Sequence, residues 1–93
     1  MTSTQRTTAT TANVASSASN VTLFAAESTI NMRTIYNDST AVLYVKFGAT
    51  ASATSYTVQL AGGAYYEFPK PLYAGQVDGI WASANGNARV TSW

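Results

Sequence analysis

The chain has 93 residues, no Cys, no His, and nine charged side chains that sum to +1. These counts exclude disulfides and argue against a structural zinc site. They also remove the imidazole and thiolate groups on which most catalysis at neutral pH depends.

Residues 1–20 are Thr, Ser and Ala with one charge, Arg6, and no aromatic residue; Val14 is the only aliphatic beyond Met1 and the alanines. Such a segment cannot by itself bury enough apolar surface to offset its ordering entropy. It reads as an extended, flexible N-terminal arm, either a loose tail or one that orders against a neighbour as an added strand. The domain expected to fold is 21–93.

From Val21 the pattern changes to short alternating runs separated by turn signals. Residues 21–26 form the first expected strand and 32–36 the second, which ends at the turn cluster Asn37-Asp38-Ser39-Thr40. Residues 41–47 give the clearest alternation, with Leu43, Val45 and Phe47 on one face and Val42, Tyr44 and Lys46 on the other. After a loop of small residues, Tyr56, Val58 and Leu60 alternate with Thr57 and Gln59. Gly62-Gly63 reads as a hairpin turn into 64–68, and Pro69 and Pro71 stop that strand. Residues 76–83 form the next strand, with Gly79 marking a bulge or a close approach. Asn85-Gly86 then reads as a two-residue hairpin into 88–93. No useful helical period appears. The fold class is all-β: a small antiparallel β-sandwich or barrel of about seven short strands.

Leu, Ile, Val and Phe total 17 residues, a small aliphatic core that six Tyr and two Trp enlarge. A domain of this size often gains stability by oligomerising or docking on a larger body. The near-neutral charge carries no footprint for nucleic acid or an anionic membrane. No run is long and apolar enough to span a bilayer as a helix, and the start, Met1 to Arg6, lacks the apolar stretch of a secretory signal. The sequons at Asn20 and Asn37 are what chance gives in so Thr/Ser-rich a chain.

The four carboxylates, Glu27, Asp38, Glu67 and Asp78, fall in no motif that brings a pair together across a substrate. Lys46 and Lys70 are the available bases for a Ser nucleophile, and neither sits in a Ser-x-x-Lys arrangement. Asn37-Asp38-Ser39 supplies one carboxylate, too few for calcium. No enzyme, cofactor or metal is therefore expected. The aromatics carry more. Phe47, Tyr56, Phe68 and Trp81 are assigned to the core. Tyr65 and Tyr66 must point to opposite faces of their strand. Tyr44, Tyr65, Tyr73 and Trp93 form the candidate interaction surface, since Tyr and Trp are favoured where an apolar body meets a partner.

Five segments carry a resemblance: Ile35-Tyr36-Asn37-Asp38-Ser39-Thr40, Leu43-Tyr44-Val45-Lys46-Phe47-Gly48, Gly63-Ala64-Tyr65-Tyr66-Glu67-Phe68-Pro69, Tyr73-Ala74-Gly75-Gln76-Val77-Asp78-Gly79-Ile80-Trp81 and Gly86-Asn87-Ala88-Arg89-Val90-Thr91. Over residues 33–91 the chain resembles a family of short structural proteins from the virions of tailed bacteriophages and prophages. That resemblance implies a capsid decoration or cement protein on the capsid exterior, made in the bacterial cytoplasm. Its expected partners are the major capsid protein or other virion proteins, and further copies of itself in a homo-oligomer. The alternatives are a neck or tail connector, a fibre accessory, or a carbohydrate-binding module with a glycan as partner.

Overall fold

In the computed structural model, which describes residues 5–93, the chain forms eight strands and no helix. They are β1 (Thr10–Ala15), β2 (Val21–Phe24), β3 (Arg33–Asp38), β4 (Leu43–Phe47), β5 (Val58–Leu60), β6 (Tyr65–Glu67), β7 (Val77–Trp81) and β8 (Asn87–Ser92). One sheet has the order β1-β8-β3-β6 and the other β2-β7-β4-β5, and every neighbouring pair is antiparallel. The two sheets pack as a sandwich. With the two orders side by side, each strand occupies the same position as its neighbour in sequence. The chain crosses between sheets at every connection except β4 to β5. This is the strand order of an eight-stranded jelly roll.

Alternation decides which side chains meet between the sheets. Leu43, Val45, Leu60, Val77 and Trp81 come from one sheet, and Ile35, Ala88 and Val90 from the other; all are buried. Leu43 lies opposite both Trp81 and Leu60, and Val45 lies opposite Gly79. A Cβ on Gly79 would come within 2.8 Å of Leu23 Cδ1 and 3.1 Å of Leu43 Cδ1. This glycine therefore marks a close approach of core side chains. An irregularity in register lies beside it, between Thr22 and Phe24 of β2.

A buried polar residue organises each end of β3. At its C-terminal end, Asn37 is fully buried. Its Nδ2 donates to the carbonyls of Ala41 (2.8 Å), Leu60 (3.0 Å) and Ala61 (3.1 Å). Its Oδ1 accepts from Ser39 Oγ and from the indole nitrogen of Trp81. At its N-terminal end, Arg33 is 1% exposed. Its guanidinium donates to the carbonyls of Ala25 and Gly75 (2.7 Å each) and Tyr73 (3.1 Å), and lies 4.7 Å from the centre of the Phe24 ring. Phe24 belongs in turn to an aromatic cluster with Phe68, Phe47, Tyr66 and Tyr73.

Three expectations are corrected. Residues 10–15, assigned by composition to the arm, form β1 and pair with β8 over its whole length. Thr is a good strand former, and a six-residue ladder to β8 supplies the backbone partners that the segment lacks alone. Ser16 and Gly86 exchange two further bonds, and Trp81 N donates to Ser17 O. Second, Asn85-Gly86 does not close a hairpin, because both sides of β7 are occupied by β2 and β4, and both sides of β8 by β1 and β3. Third, Gly62-Gly63 carries the chain from β5 in one sheet to β6 in the other. Both glycine turns dock on the β3–β4 crossover. A Cβ at Gly86 would lie 2.3 Å from Asp38 O, and one at Gly62 2.5 Å from Ser39 O. Asn85 fixes the same crossover by exchanging side-chain bonds with Thr40.

Candidate functional site

On the β1-β8-β3-β6 sheet, Ile35, Ala88 and Val90 face the core, so alternation turns Thr34, Tyr36, Asp38, Arg89, Thr91, Tyr65 and Glu67 outward. The register aligns them in rungs. Asn13 lies opposite Arg89, Arg89 opposite Tyr36, and Tyr36 opposite Tyr65. The next rung is Thr11, Thr91, Thr34 and Glu67. Tyr65 is 59% exposed and Tyr36 38%. Arg89 Nε donates to Asp38 Oδ2 at 2.9 Å and Arg89 Nη1 to Asn13 Oδ1 at 3.0 Å. Tyr65 OH donates to Glu67 Oε2 at 3.2 Å. The result is an outward patch in which two exposed Tyr side chains at paired strand positions stand beside a guanidinium held by two acceptors. It presents two phenol hydroxyls, a guanidinium and the Glu67 carboxylate that accepts from Tyr65. Among the described residues no three of His, Cys, Asp or Glu come together to hold a metal ion.

The structure separates the four residues proposed from sequence. Tyr65 is on this patch. Tyr44 is half-buried on β4, on the outer face of the other sheet, with its ring 5.0 Å from that of Tyr56. Tyr73 is half-buried; it stacks on Phe47 at 5.0 Å and 7° and donates its hydroxyl to Gln76 O. It lies outside any strand, where no period places a ring, and the aromatic cluster takes it in. Trp93 is half-buried, and its backbone exchanges hydrogen bonds with Met32. It lines a cleft of about 460 Å³ beneath β1, whose walls include Leu23, Phe24, Val90, Ala12 and Glu27. Tyr56, assigned to the core, is 41% exposed, because β5 begins two residues later and the alternation does not extend back to it.

Sequence reasoning missed Tyr36 and Arg89 as site residues. Alternation within each strand places both outward, but their adjacency to Tyr65 depends on β3 lying between β8 and β6. Both sequons are structurally engaged: Asn37 as above, and Asn20 through Nδ2 to Asp78 Oδ2 and Oδ1 from Ala51 N. Glu27, at the rim of the cleft, is held below its ordinary carboxylate value by hydrogen bonds from the Thr29 side chain and backbone. Burial lowers the Arg33 pKa, and burial raises that of Tyr66.

No family model, no curated protein and no solved structure matches this chain.

Proposed function

We propose that this protein is a non-enzymatic structural component of a tailed-phage virion, a decoration protein that binds the major capsid protein shell through the outer face of the β1-β8-β3-β6 sheet. The observation that carries the reading is the rung Asn13–Arg89–Tyr36–Tyr65. Tyr and Arg dominate binding energy at protein interfaces. Here they are presented on a sheet whose backbone is held by neighbours, so little entropy is lost on binding. Two further lines support it: the resemblance of residues 33–91 to virion structural proteins, and a jelly-roll order, which viral capsid domains use. A fold does not assign a job by itself, so the weight rests on the surface.

The test is co-sedimentation with particles of the parent phage stripped of this protein. The double variant Tyr36→Ala/Tyr65→Ala should bind at least tenfold more weakly than the unaltered chain, and equal binding overturns the reading. A second reading, sugar binding, draws on the same exposed Tyr65 ring and on the use of the jelly roll by lectins. A glycan array that gives signal only when Tyr65 is intact favours it.

A further inference from the structure

The four sheet edges are not alike. β5 and β6 have three residues each, and β6 carries Glu67 and is followed closely by Pro69. β2 has four residues and an irregular register. Shortness, charge, proline and bulges are the ordinary protections of an exposed edge. β1 has none of them: it is six residues long, uncharged, free of Pro and regular along its pairing with β8.

The direction of its backbone groups follows from the hydrogen bonds. Trp93 and Met32 exchange bonds at 3.1 and 3.0 Å, so the backbone groups of Trp93 face β3. Alternation then turns those of Ser92, Val90 and Ala88 toward β1. Ser16 N donating to Gly86 O continues the same pattern. Thr10, Ala12 and Val14 therefore bond β8, while Thr11, Asn13 and Ala15 direct N–H and C=O away from the sheet. Among the described residues no strand lies on that side.

We propose that this edge pairs with the β1 edge of a second copy, antiparallel about a two-fold axis at Asn13, to make one continuous eight-stranded sheet. The three outward residues are evenly spaced about Asn13. In this register Thr11 faces Ala15 of the second copy, Asn13 faces Asn13, and every outward backbone group of both strands gains a partner. Ala12 falls opposite Val14 of the second copy on the inner face, beside the cleft that Ala12 and Thr10 line with Leu23, Phe24 and Val90. The pairing borders this cleft, whose walls also carry Arg6, Glu27 and Thr29. β1 carries no charge, so no like charges meet at the axis. The nearest cations, the two Arg89 side chains, stand three strand spacings apart, about 14 Å, beyond a screening length of about 10 Å.

The test uses sedimentation equilibrium and single-cysteine variants of the full chain, which has no native Cys to interfere. The unaltered protein sediments as a dimer. Thr11→Pro removes an outward N–H and leaves the β1–β8 bonds in place; it sediments as a monomer with an unchanged circular dichroism spectrum. Paired hydrogen-bonded positions lie about 5.5 Å apart at Cα, within disulfide range, so oxidised Asn13→Cys forms a covalent dimer. Ala15→Cys does not cross-link to itself, but it does cross-link to Thr11→Cys when the two are mixed. A monomeric unaltered chain with uncrosslinked Asn13→Cys overturns the proposal. So does a Thr11→Pro variant that stays dimeric, or self-cross-linking of Ala15→Cys as efficient as that of Asn13→Cys.

Discussion

Trp81 on β7 donates its indole N–H to Oδ1 of Asn37 on β3 at 3.0 Å, a hydrogen bond that joins the two sheets where both side chains are buried. The same asparagine amide caps three carbonyls of the β3–β4 and β5–β6 crossovers through Nδ2. A buried polar group left without its partner costs about 1–3 kcal/mol, and Asn37→Ala leaves several at once. We expect Asn37→Ala to destabilise the fold by about 3 kcal/mol or more, read as a fall in denaturation midpoint. Asn37→Asp keeps an acceptor for Trp81 but turns a second acceptor toward three carbonyls, so it should not rescue.

Arg33 holds the opposite end of the sandwich. Its fork reaches carbonyls on two separate loops while its face lies on Phe24. A lysine supplies one point charge and cannot bridge both loops in plane. Arg33→Lys should cost about 2 kcal/mol and expose the β6–β7 loop to hydrogen exchange, leaving Trp81 fluorescence native. An unchanged exchange pattern at residues 73–76 would count against this role.

Gly86 tests the glycine argument. Its missing Cβ leaves room for Asp38 O, a backbone atom with little freedom to move. Gly86→Ala should lower stability by about 1–3 kcal/mol. Gly63, at φ +82° with open space around it, should resist substitution for a different reason, the cost of a left-handed backbone of about 1 kcal/mol.

The pH profile should be flat through neutrality, since no histidine is present to titrate. Glu27 is held below 4.5 in the fold, so its contribution is present above that value and is lost as pH falls through the lower folded value. Glu27→Gln should flatten the acid limb slightly. Tyr66 is raised above 10.0 by burial, so the fold keeps its phenol neutral. Stability is intact below pH 10 and falls as pH rises from there through the folded value. Tyr66→Phe should soften that alkaline loss in a denaturation series.

Truncation separates tail from strand. Removing residues 1–8 leaves β1 intact and should change the melting temperature little. Removing 1–20 takes away β1, the Ser16–Gly86 exchange and the Asn20–Asp78 bond, and exposes Val90 and Ala88. It should lower the melting temperature sharply or abolish folding.

Local chemistry was readable and pairing was not. The faces of residues 43–47, the opposed Tyr65 and Tyr66, and seven of eight strands follow from period-two alternation. Alternation alone left the side of Trp81 open. The core claims it because the register sets it opposite Leu43, which is fully buried. Asn85-Gly86 and Gly62-Gly63 are turns as composition suggests, yet both cross between sheets, because which strands pair depends on contacts far apart in sequence. The outward Tyr–Arg patch was hidden for the same reason: Tyr36, Tyr65 and Arg89 are separated by as many as 53 positions (89 − 36) and meet only through register.

The most direct measurement is quantitative mass spectrometry of purified particles, with this protein counted against the major capsid protein. A shell-wide decoration protein gives a ratio near one, or a fixed large fraction of one. A dozen copies or fewer per particle, or none, contradicts it.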